Sequence, residues 1–203
     1  MGLYQRYVLP RLIDLTMSSR DLAPYRARTI AAARGRVLEI GVGSGLNLPL
    51  YRADVTEIVA IDPSAELLAF ARRQADRRTT LVPASAEALP FADASFDSAV
   101  TTWTLCSIPN ATQALHEVHR VLAPDGRLLF AEHGLAPEPR VARWQHRLTP
   151  CWRCLAGGCH LDRKIDDLIA AAGFHLDRVE TGYLRARTPF TYMYQGAAHP
   201  YRA

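Results

Sequence analysis

Three glycines alternate with other residues in the segment Gly41-Val42-Gly43-Ser44-Gly45, at the end of a short apolar run. Glycine allows the backbone to turn sharply and to approach a bound molecule closely. The acidic residue Glu39 lies inside this run, and Asp62 ends the next apolar run along the chain. A carboxylate at such a strand end can accept hydrogen bonds from ribose hydroxyls. The pattern therefore predicts a site for a nucleotide-containing ligand.

Two ligand classes use a glycine-rich loop of this kind. The dinucleotide fingerprint requires its third glycine at the position where this chain has Leu46, whereas the third glycine here is Gly45. A nicotinamide-dependent dehydrogenase is therefore disfavoured. We expect a helix to begin after the loop, with Asn47 either reaching the ligand or serving as a helix cap.

The cysteines and histidines offer nucleophilic, acid–base and metal-binding chemistry. The motif Cys151-x-x-Cys154-x4-Cys159-His160 resembles a zinc site, but its second and third cysteines are too close for two separate knuckles. We expect reduced thiols and no metal; a structural metal and a redox pair are the alternatives. His133 follows an apolar run, and an imidazole can accept a proton near neutral pH. The alternative is a histidine that only hydrogen-bonds within its loop.

The elements that must position these residues follow an alternation of strands and helices. Apolar runs predict strands at 36–41, 57–62, 80–84, 96–105, 126–133, 174–181 and 190–197. The last two are separated by too few residues for a crossover, which predicts an antiparallel hairpin. Between the strands, Ser64 and Asn110 are predicted helix caps, and Gly173 ends a helix over 161–173. The predicted fold class is α/β, with a doubly wound, mostly parallel, seven-stranded Rossmann-like sheet.

The whole chain, residues 1–203, is predicted to form a single domain. Within it, 1–33 reads as an N-terminal helical cap and 34–203 as the catalytic core. Apolar residues of the cap recur at helical spacing, and Pro10 interrupts them. The cap is expected to pack against the core, where it could also cover the active site.

Composition limits the partners. The 24 basic and 20 acidic residues give a net charge of +4, and Lys164 is the only lysine. The densest arginine cluster, over 72–78, reads as a solvated helix face, with an anionic partner as the alternative. No basic patch with interleaved aromatics indicates nucleic-acid binding. No apolar run approaches the roughly 18 residues of a membrane span, and the start lacks signal-peptide features. A cytoplasmic protein without membrane association is expected; the oligomeric state stays open.

Several segments resemble the class I S-adenosylmethionine-dependent methyltransferases over about residues 35–180. They are LEIGVGSG, IDPS, ASAEALPFADASFDSAV, LHEVHRVLAPDGRLLFAEH and AAGF. The resemblance implies S-adenosylmethionine as cofactor. Its expected contacts are Glu39, Gly41, Gly43, Gly45, Asn47, Asp62, Pro63, Ser85, Ala86, Glu87, Thr102 and Trp103. Many members have aspartate where this chain has Ser85, so the backbone at Ala86 is expected to serve the adenine.

The segments TLCSI, EHG, WQHRLTPCW, GGCHLDR and YMYQGAA are similar to the methyltransferase-like thiol S-methyltransferase group and its small bacterial relatives. This closer resemblance implies methyl transfer to a small-molecule acceptor, with a thiol favoured. The alternatives are N- or O-methylation of a phospholipid amine or quinone, and a non-catalytic cofactor-binding protein. His133 is the expected catalytic base. The expected acceptor pocket comprises Leu105, Cys106, Trp144, His160 and Tyr7. Methyl displacement needs no covalent enzyme intermediate, so Cys106 is expected to be a wall rather than a nucleophile.

Overall fold

A computed structural model describes residues 4–201. Its strands form one sheet in the order β3-β2-β1-β4-β5-β7-β6. The strands are β1 (Gly35–Ile40), β2 (Val55–Ile61), β3 (Thr79–Val82), β4 (Phe96–Thr102), β5 (Leu122–His133), β6 (Phe174–Tyr183) and β7 (Tyr192–Pro200). The first five are parallel, and β7 runs antiparallel to both β5 and β6. The predicted sheet, with its antiparallel C-terminal pair, is confirmed.

The described residues contain six α-helices. They are α1 (Leu9–Met17), α2 (Ala23–Ile30), α3 (Ala65–Ala71), α4 (Ala111–Val121), α5 (Pro139–Leu155) and α6 (Ile165–Ala171). The two predicted caps are confirmed, since the side chain of Ser64 accepts a hydrogen bond from Leu67 N, and that of Asn110 from Gln113 N. None of these helices has the length and apolar character that a membrane span requires.

Helices cover both faces of the sheet, which explains why the inner strands are apolar on both sides. On one face, residues of α4 and α6 pack against Leu38, Ile40 and Phe130. On the other, residues of α2 and α3 pack against Val37, Ile58 and neighbouring strand residues. Because β1 pairs with β2 on one side and β4 on the other, the chain reverses its winding direction between β1 and β4. A crevice for ligands opens beyond the carboxyl ends of strands at such a point.

The strands predicted at 126–133 and 190–197 are Leu122–His133 and Tyr192–Pro200 in the structure, and three other predicted elements differ as well. The strand predicted to reach residue 105 ends at Thr102, because Trp103 adopts a positive φ of 52° that breaks the extended backbone. The glycine loop leads into a single 3₁₀ turn, Leu48–Leu50, and not into an α-helix. The helix predicted to begin at residue 161 begins at Ile165.

Helix α5 had no counterpart among the predicted elements. Pro150 lies inside it, and such a proline normally argues against a helix because it removes a backbone donor. The helix nevertheless extends from Pro139 to Leu155, and Gln145 and Thr149 are its buried residues.

The N-terminal cap is helical in its described part; residues 1–3 of the predicted cap lie outside the described residues. A π-helical turn, Tyr4–Val8, leads into α1, and Pro10 occupies the first turn, where its missing N–H is harmless. Tyr4 Oη donates a hydrogen bond of 2.8 Å to the carbonyl oxygen of Leu155 at the end of α5. The cap therefore contacts the segment that leads into Cys159.

Candidate active site

The glycine loop is closed by the carboxylate of Asp62. Oδ2 of Asp62 accepts a hydrogen bond of 3.0 Å from Gly43 N, and Oδ1 accepts one of 2.8 Å from Ser64 N. Burial raises the pKa of Asp62, although these two hydrogen bonds oppose the change. The carboxylate is thus fixed just after β2, in the position expected for a group that accepts hydrogen bonds from ribose hydroxyls.

Gly43 and Gly45 serve the loop in different ways. Both have positive φ, of 55° and 85°. A Cβ on Gly45 would stand 2.9 Å from Ala71 Cα, so this glycine lets α3 approach the loop. A Cβ on Gly43 would meet nothing closer than Gly41 O at 4.0 Å. Gly43 therefore leaves open space above the backbone, where a ligand can approach.

A buried polar network connects four elements beside this loop. Asn47 Nδ2 donates hydrogen bonds to Glu39 Oε1 on β1, at 2.8 Å, and to Thr102 Oγ1 at the end of β4, at 3.0 Å. Asn47 Oδ1 accepts a hydrogen bond of 2.7 Å from Arg26 Nη1 on α2. Asn47 is therefore not a surface cap but the centre of a network among predicted cofactor residues.

The network contains one acidic and one basic side chain, Glu39 and Arg26, and both are buried. Burial raises the pKa of Glu39 to about 7, and contacts with Tyr51 and Asn47 and the charge of Arg26 oppose the rise. Burial also lowers the pKa of Arg26, against the attraction of Glu39. The Arg26 guanidinium stacks over the Trp103 ring at 4.9 Å from its centroid. Arg26 thus brings a cation from the N-terminal cap to the cofactor side of the crevice.

Residues predicted to border the adenine lie at the end of β3. Ala86 is buried, and Glu87 Oε1 accepts a hydrogen bond of 2.7 Å from Asn110 N at the start of α4. Ser85 Oγ lies 3.2 Å from Glu87 Oε2 and accepts a hydrogen bond from Glu87 N. Both side chains therefore have partners in the protein, while Ala86 packs in the hydrophobic core, and the adenine contact at this segment stays a prediction.

The turn after β4 is held by a buried carboxylate. Glu132 Oε1 accepts hydrogen bonds from Thr101 Oγ1, at 2.7 Å, and from Thr104 N, at 3.1 Å. Trp103 N donates to the carbonyl oxygen of Ala131. Burial raises the pKa of Glu132. Glu132, which is fully buried, thus holds the residues on either side of the predicted cofactor residues Thr102 and Trp103.

Two loops meet on the predicted acceptor side, and Arg163 anchors one of them. Arg163 Nη1 donates hydrogen bonds to the carbonyl oxygens of Leu105 and Ile108. His160 N donates to Cys106 O at 2.8 Å, and a Cβ on Gly158 would lie 3.2 Å from Ser107 O. The loops over 103–109 and 157–163 are therefore packed backbone against backbone.

This packing gathers two thiols and an imidazole, which we call the Cys106–His133–Cys159 cluster. Cys159 Sγ lies 3.7 Å from Cys106 Sγ and 3.4 Å from His133 Nε2. Contact with Cys106 and burial raise the pKa of Cys159. Nδ1 of His133 is buried and has no hydrogen-bond partner among the described residues. His133 thus directs one nitrogen at a thiol, at the carboxyl end of β5.

The other residues predicted for the acceptor pocket are more dispersed. Leu105 is buried, and His160 is half-buried, with Nδ1 3.8 Å from Asp162 Oδ1. Burial lowers the pKa of His160, and the charges of nearby arginines add to this change. Trp144 is 55% exposed on α5, and Tyr7 is 48% exposed in the N-terminal turn. Cys106 thus belongs to the cluster and Leu105 precedes it in the chain, whereas Trp144 and Tyr7 lie on the surface.

The fold places the cysteines of the motif Cys151-x-x-Cys154-x4-Cys159-His160 in different environments. Cys151 and Cys154 are exposed on α5, while Cys159 faces inward to Cys106. The partner of Cys159 is therefore the cysteine most distant in sequence.

Three residues were given no role in the site from the sequence, although Gln145 and Arg163 lie in the segments that are similar to the thiol S-methyltransferase group. Arg26 was hidden in the cap, although an arginine amid apolar positions of α2 was a signal that could have been noted. Gln145 is fully buried, donates to the carbonyl oxygens of Gly134 and Pro189, and accepts from Ala136 N. It fixes the loop that follows His133. Arg163 anchors the Cys106 loop and carried no local signal for that role.

Comparison with known proteins agrees with this geometry. The family model of a methyltransferase domain matches residues 38–130. Thiol S-methyltransferase TMT1B of Rattus norvegicus is 34% identical over 135 residues, which cover 63% of this chain and 55% of that protein. Phosphatidylethanolamine N-methyltransferase of Cereibacter sphaeroides is 36% identical over 159 residues, which cover 71% of this chain and 76% of that protein.

The fold comparison gives the same architecture. The crystal structure of a SAM-dependent methyltransferase from Methanosarcina mazei superposes with a TM-score of 0.68 at 21% identity, covering 87% of this chain and 97% of that one. At that identity the likeness shows the fold alone. The chain spans 55, 59 and 58% of the length of the first three thiol methyltransferase relatives.

Proposed function

The chain belongs to the class I S-adenosylmethionine-dependent methyltransferases, and we propose that it methylates a small-molecule thiol. When bound, S-adenosylmethionine supplies a methyl group activated on a sulfonium sulfur. The observation that carries the thiol proposal is the Cys106–His133–Cys159 cluster at the carboxyl ends of β4 and β5. The sequence similarity to thiol methyltransferases supports it.

The residues around the glycine loop fit this cofactor. The space above Gly43 admits the close approach of a ligand, and the carboxylate of Asp62 stands where ribose hydroxyls are held. We assign the amino-acid end of the cofactor to the loop beside Asn47 and Arg26, because a guanidinium can bind a carboxylate. We assign the adenine end to Pro63 and to Ser85, Ala86 and Glu87.

The acceptor must be aligned and deprotonated by the protein. Correct alignment of two reactants can supply on the order of 7–11 kcal/mol of the barrier. A free thiol has a pKa of about 8.5, so it needs help to react as a thiolate at neutral pH. We assign this activation to His133, which is buried at the crevice end of β5. Cys106 and Leu105 form the adjoining wall.

A second acceptor class is favoured by one specific observation. One relative, of which the matched region covers 76%, acts, by its name, on phosphatidylethanolamine. The alternative is therefore N- or O-methylation of a phospholipid amine or quinone. A cofactor-binding protein without catalysis is the alternative from a different class. A cytoplasmic location and the absence of a nucleic-acid partner stay predictions.

One assay separates these functions. The purified chain is incubated with S-adenosylmethionine and, in parallel, with small thiols, phosphatidylethanolamine vesicles and quinols, and S-adenosylhomocysteine is quantified. We expect turnover with thiols and its loss in Asp62→Ala. Turnover with the amine or quinol alone would overturn the thiol proposal. Binding of S-adenosylmethionine without turnover of any acceptor would favour the non-catalytic alternative.

A further inference from the structure

The Cys106–His133–Cys159 cluster has the dimensions of a metal site. A tetrahedral zinc ion with Zn–S distances of about 2.3 Å and Zn–N of about 2.0 Å holds two sulfurs roughly 3.8 Å apart and a sulfur and nitrogen roughly 3.5 Å apart. The corresponding distances here are 3.7 Å between the two Sγ atoms and 3.4 Å from Cys159 Sγ to His133 Nε2. All three donor atoms lie within 4.8 Å of one another. Two of the three donor separations therefore match a tetrahedral zinc site, and the third, between Cys106 Sγ and the His133 imidazole, is no more than 4.8 Å.

We propose that Cys106, Cys159 and His133 bind a thiophilic metal ion, Zn²⁺ by preference, at the acceptor end of the crevice. Thiolates and an imidazole together are the donor set that soft and borderline ions select. Among the described residues no fourth cysteine, histidine or carboxylate joins the cluster. Three protein ligands with one open position is the arrangement of catalytic rather than structural zinc sites.

The open position is suited to the sulfur of an acceptor, a role that rests on the proposed thiol methyltransferase function. Binding of the ion displaces the protons of Cys106 and Cys159 to solvent, and binding of an acceptor thiol displaces one more. The acceptor is then held as a thiolate with its remaining lone pairs available. With the ion bound, His133 acts through Nε2 as a ligand of the ion and the acceptor proton passes to solvent; in the metal-free chain the same nitrogen is the proton acceptor of the proposed function.

The fold holds the ligands in place by contacts that do not involve the thiols. His160 N donates to the carbonyl oxygen of Cys106, and Arg163 holds the carbonyl oxygen of Leu105. The cysteine loops are thus fixed relative to each other before any ion binds. The distance of 3.7 Å between the two sulfurs is also much longer than the bond length of about 2.05 Å in a disulfide. Both thiols are therefore free in this structure.

The test measures metal binding directly and needs no acceptor. Protein purified under reducing conditions is stripped with a chelator, reloaded with Zn²⁺ and analysed for bound metal, and Co²⁺ is used as a spectroscopic probe. We expect one equivalent of Zn²⁺ per chain and a thiolate-to-cobalt charge-transfer band. Cys106→Ser and Cys159→Ser should each weaken zinc binding at least tenfold.

Two controls keep the result specific. Cys151→Ser/Cys154→Ser removes the exposed thiols of α5. His175→Ala/His199→Ala removes two histidines that form a second group with Asp177, near the start of β6 and the end of β7. Both double variants should keep the zinc equivalent and the cobalt band. Less than 0.1 equivalent of zinc in the folded wild type, or its loss only in a control variant, would overturn the site.

Failure of the site and failure of the proposed function are distinguishable. Zinc content and the cobalt spectrum do not depend on turnover, so an inactive chain that binds one zinc still supports the site. Addition of a small thiol should shift the cobalt band if the thiol takes the open position. A metal-free wild type that methylates thiols as fast as the zinc-loaded protein would overturn the role of the ion and leave the proposed function intact.

Discussion

Arg26 and Asn47 are joined by a buried hydrogen bond of 2.7 Å that connects the N-terminal cap to the cofactor loop. The same asparagine reaches Glu39 and Thr102, so one amide side chain holds α2, β1 and β4 together. The geometry of the cofactor loop therefore depends on a helix that lies outside the alternating strands and helices of the core.

Replacing this asparagine should affect both stability and cofactor binding. Asn47→Ala leaves the buried groups of Arg26 and Glu39 without their shared partner, and each unsatisfied buried group costs about 1–3 kcal/mol. We expect the free energy of unfolding to fall by about 3 kcal/mol in urea titrations. Calorimetry should show at least tenfold weaker binding of S-adenosylhomocysteine. Asn110→Ala, which removes only a helix cap, should cost about 1 kcal/mol and leave that affinity unchanged.

The buried carboxyl of Glu39 should give stability a specific pH dependence. Its pKa of about 7 in the folded chain lies above the ordinary value of 4.5, so the folded state favours the protonated form. The stability from this group is complete below pH 4.5 and is lost as pH rises through 7, by about 3 kcal/mol in all. Glu39→Gln should therefore gain stability relative to wild type between those pH values, as followed by denaturant unfolding.

Glu117 provides a control of opposite sign. Its hydrogen bonds with Arg120 lower its pKa from 4.5, so its contribution is present at neutral pH and is lost as pH falls below that value. Glu117→Gln should lose stability relative to wild type at neutral pH and approach it in acid. A Glu39→Gln curve that remains parallel to that of wild type from pH 4.5 to 7 would contradict the raised pKa.

The two loop glycines should respond differently to alanine. Gly45→Ala combines positive φ with a Cβ only 2.9 Å from the backbone of α3, so we expect a loss of stability of about 3 kcal/mol or more. Gly43→Ala meets no neighbour and should lose only about 1–2 kcal/mol, from its backbone conformation. The same Cβ fills the space above the loop and should weaken S-adenosylhomocysteine binding at least tenfold. Equal stability of the two variants would refute this assignment.

Replacing each of two adjacent residues of α5, Gln145 and Trp144, should have different effects: the first on stability and the second on acceptor binding. Gln145→Ala deprives two buried backbone groups and one half-buried backbone group of their partner and should lower the free energy of unfolding by about 3 kcal/mol. Trp144→Ala, at a position that is 55% exposed, should change it by less than about 0.5 kcal/mol. If Trp144 lines the acceptor pocket, its replacement raises KM for the acceptor without changing the affinity for S-adenosylhomocysteine. An unchanged KM would remove it from the pocket.

The sequence was sufficient for the sheet and the glycine loop because their signals are local. A buried parallel strand needs a continuous apolar run, and a tight loop needs glycine; Gly41 to Gly45 satisfies the second condition directly. Helix α5 was missed because Pro150 interrupts the pattern that normally identifies a helix. The end of β4 was misplaced because the positive φ of Trp103 is imposed by contacts with β5.

The candidate site was less accessible to sequence reasoning because its contacts join distant loops. Cys106 and Cys159 are brought together by Arg163 and by the close approach at Gly158, and neither interaction has a local signature. The nearest cysteines in sequence, Cys151 and Cys154, gave a misleading motif, because the helix that carries them directs them to solvent.

The position of β7 between β5 and β6 determines an order of events during synthesis on the ribosome. Within residues 4–201, β6 pairs with no strand other than β7, which emerges later. A nascent chain that ends after Tyr183 can complete the five parallel strands, but β6 has no strand to join. Ribosome-bound chains of increasing length should therefore gain protease resistance in two stages, the second only when Pro200 has left the exit tunnel.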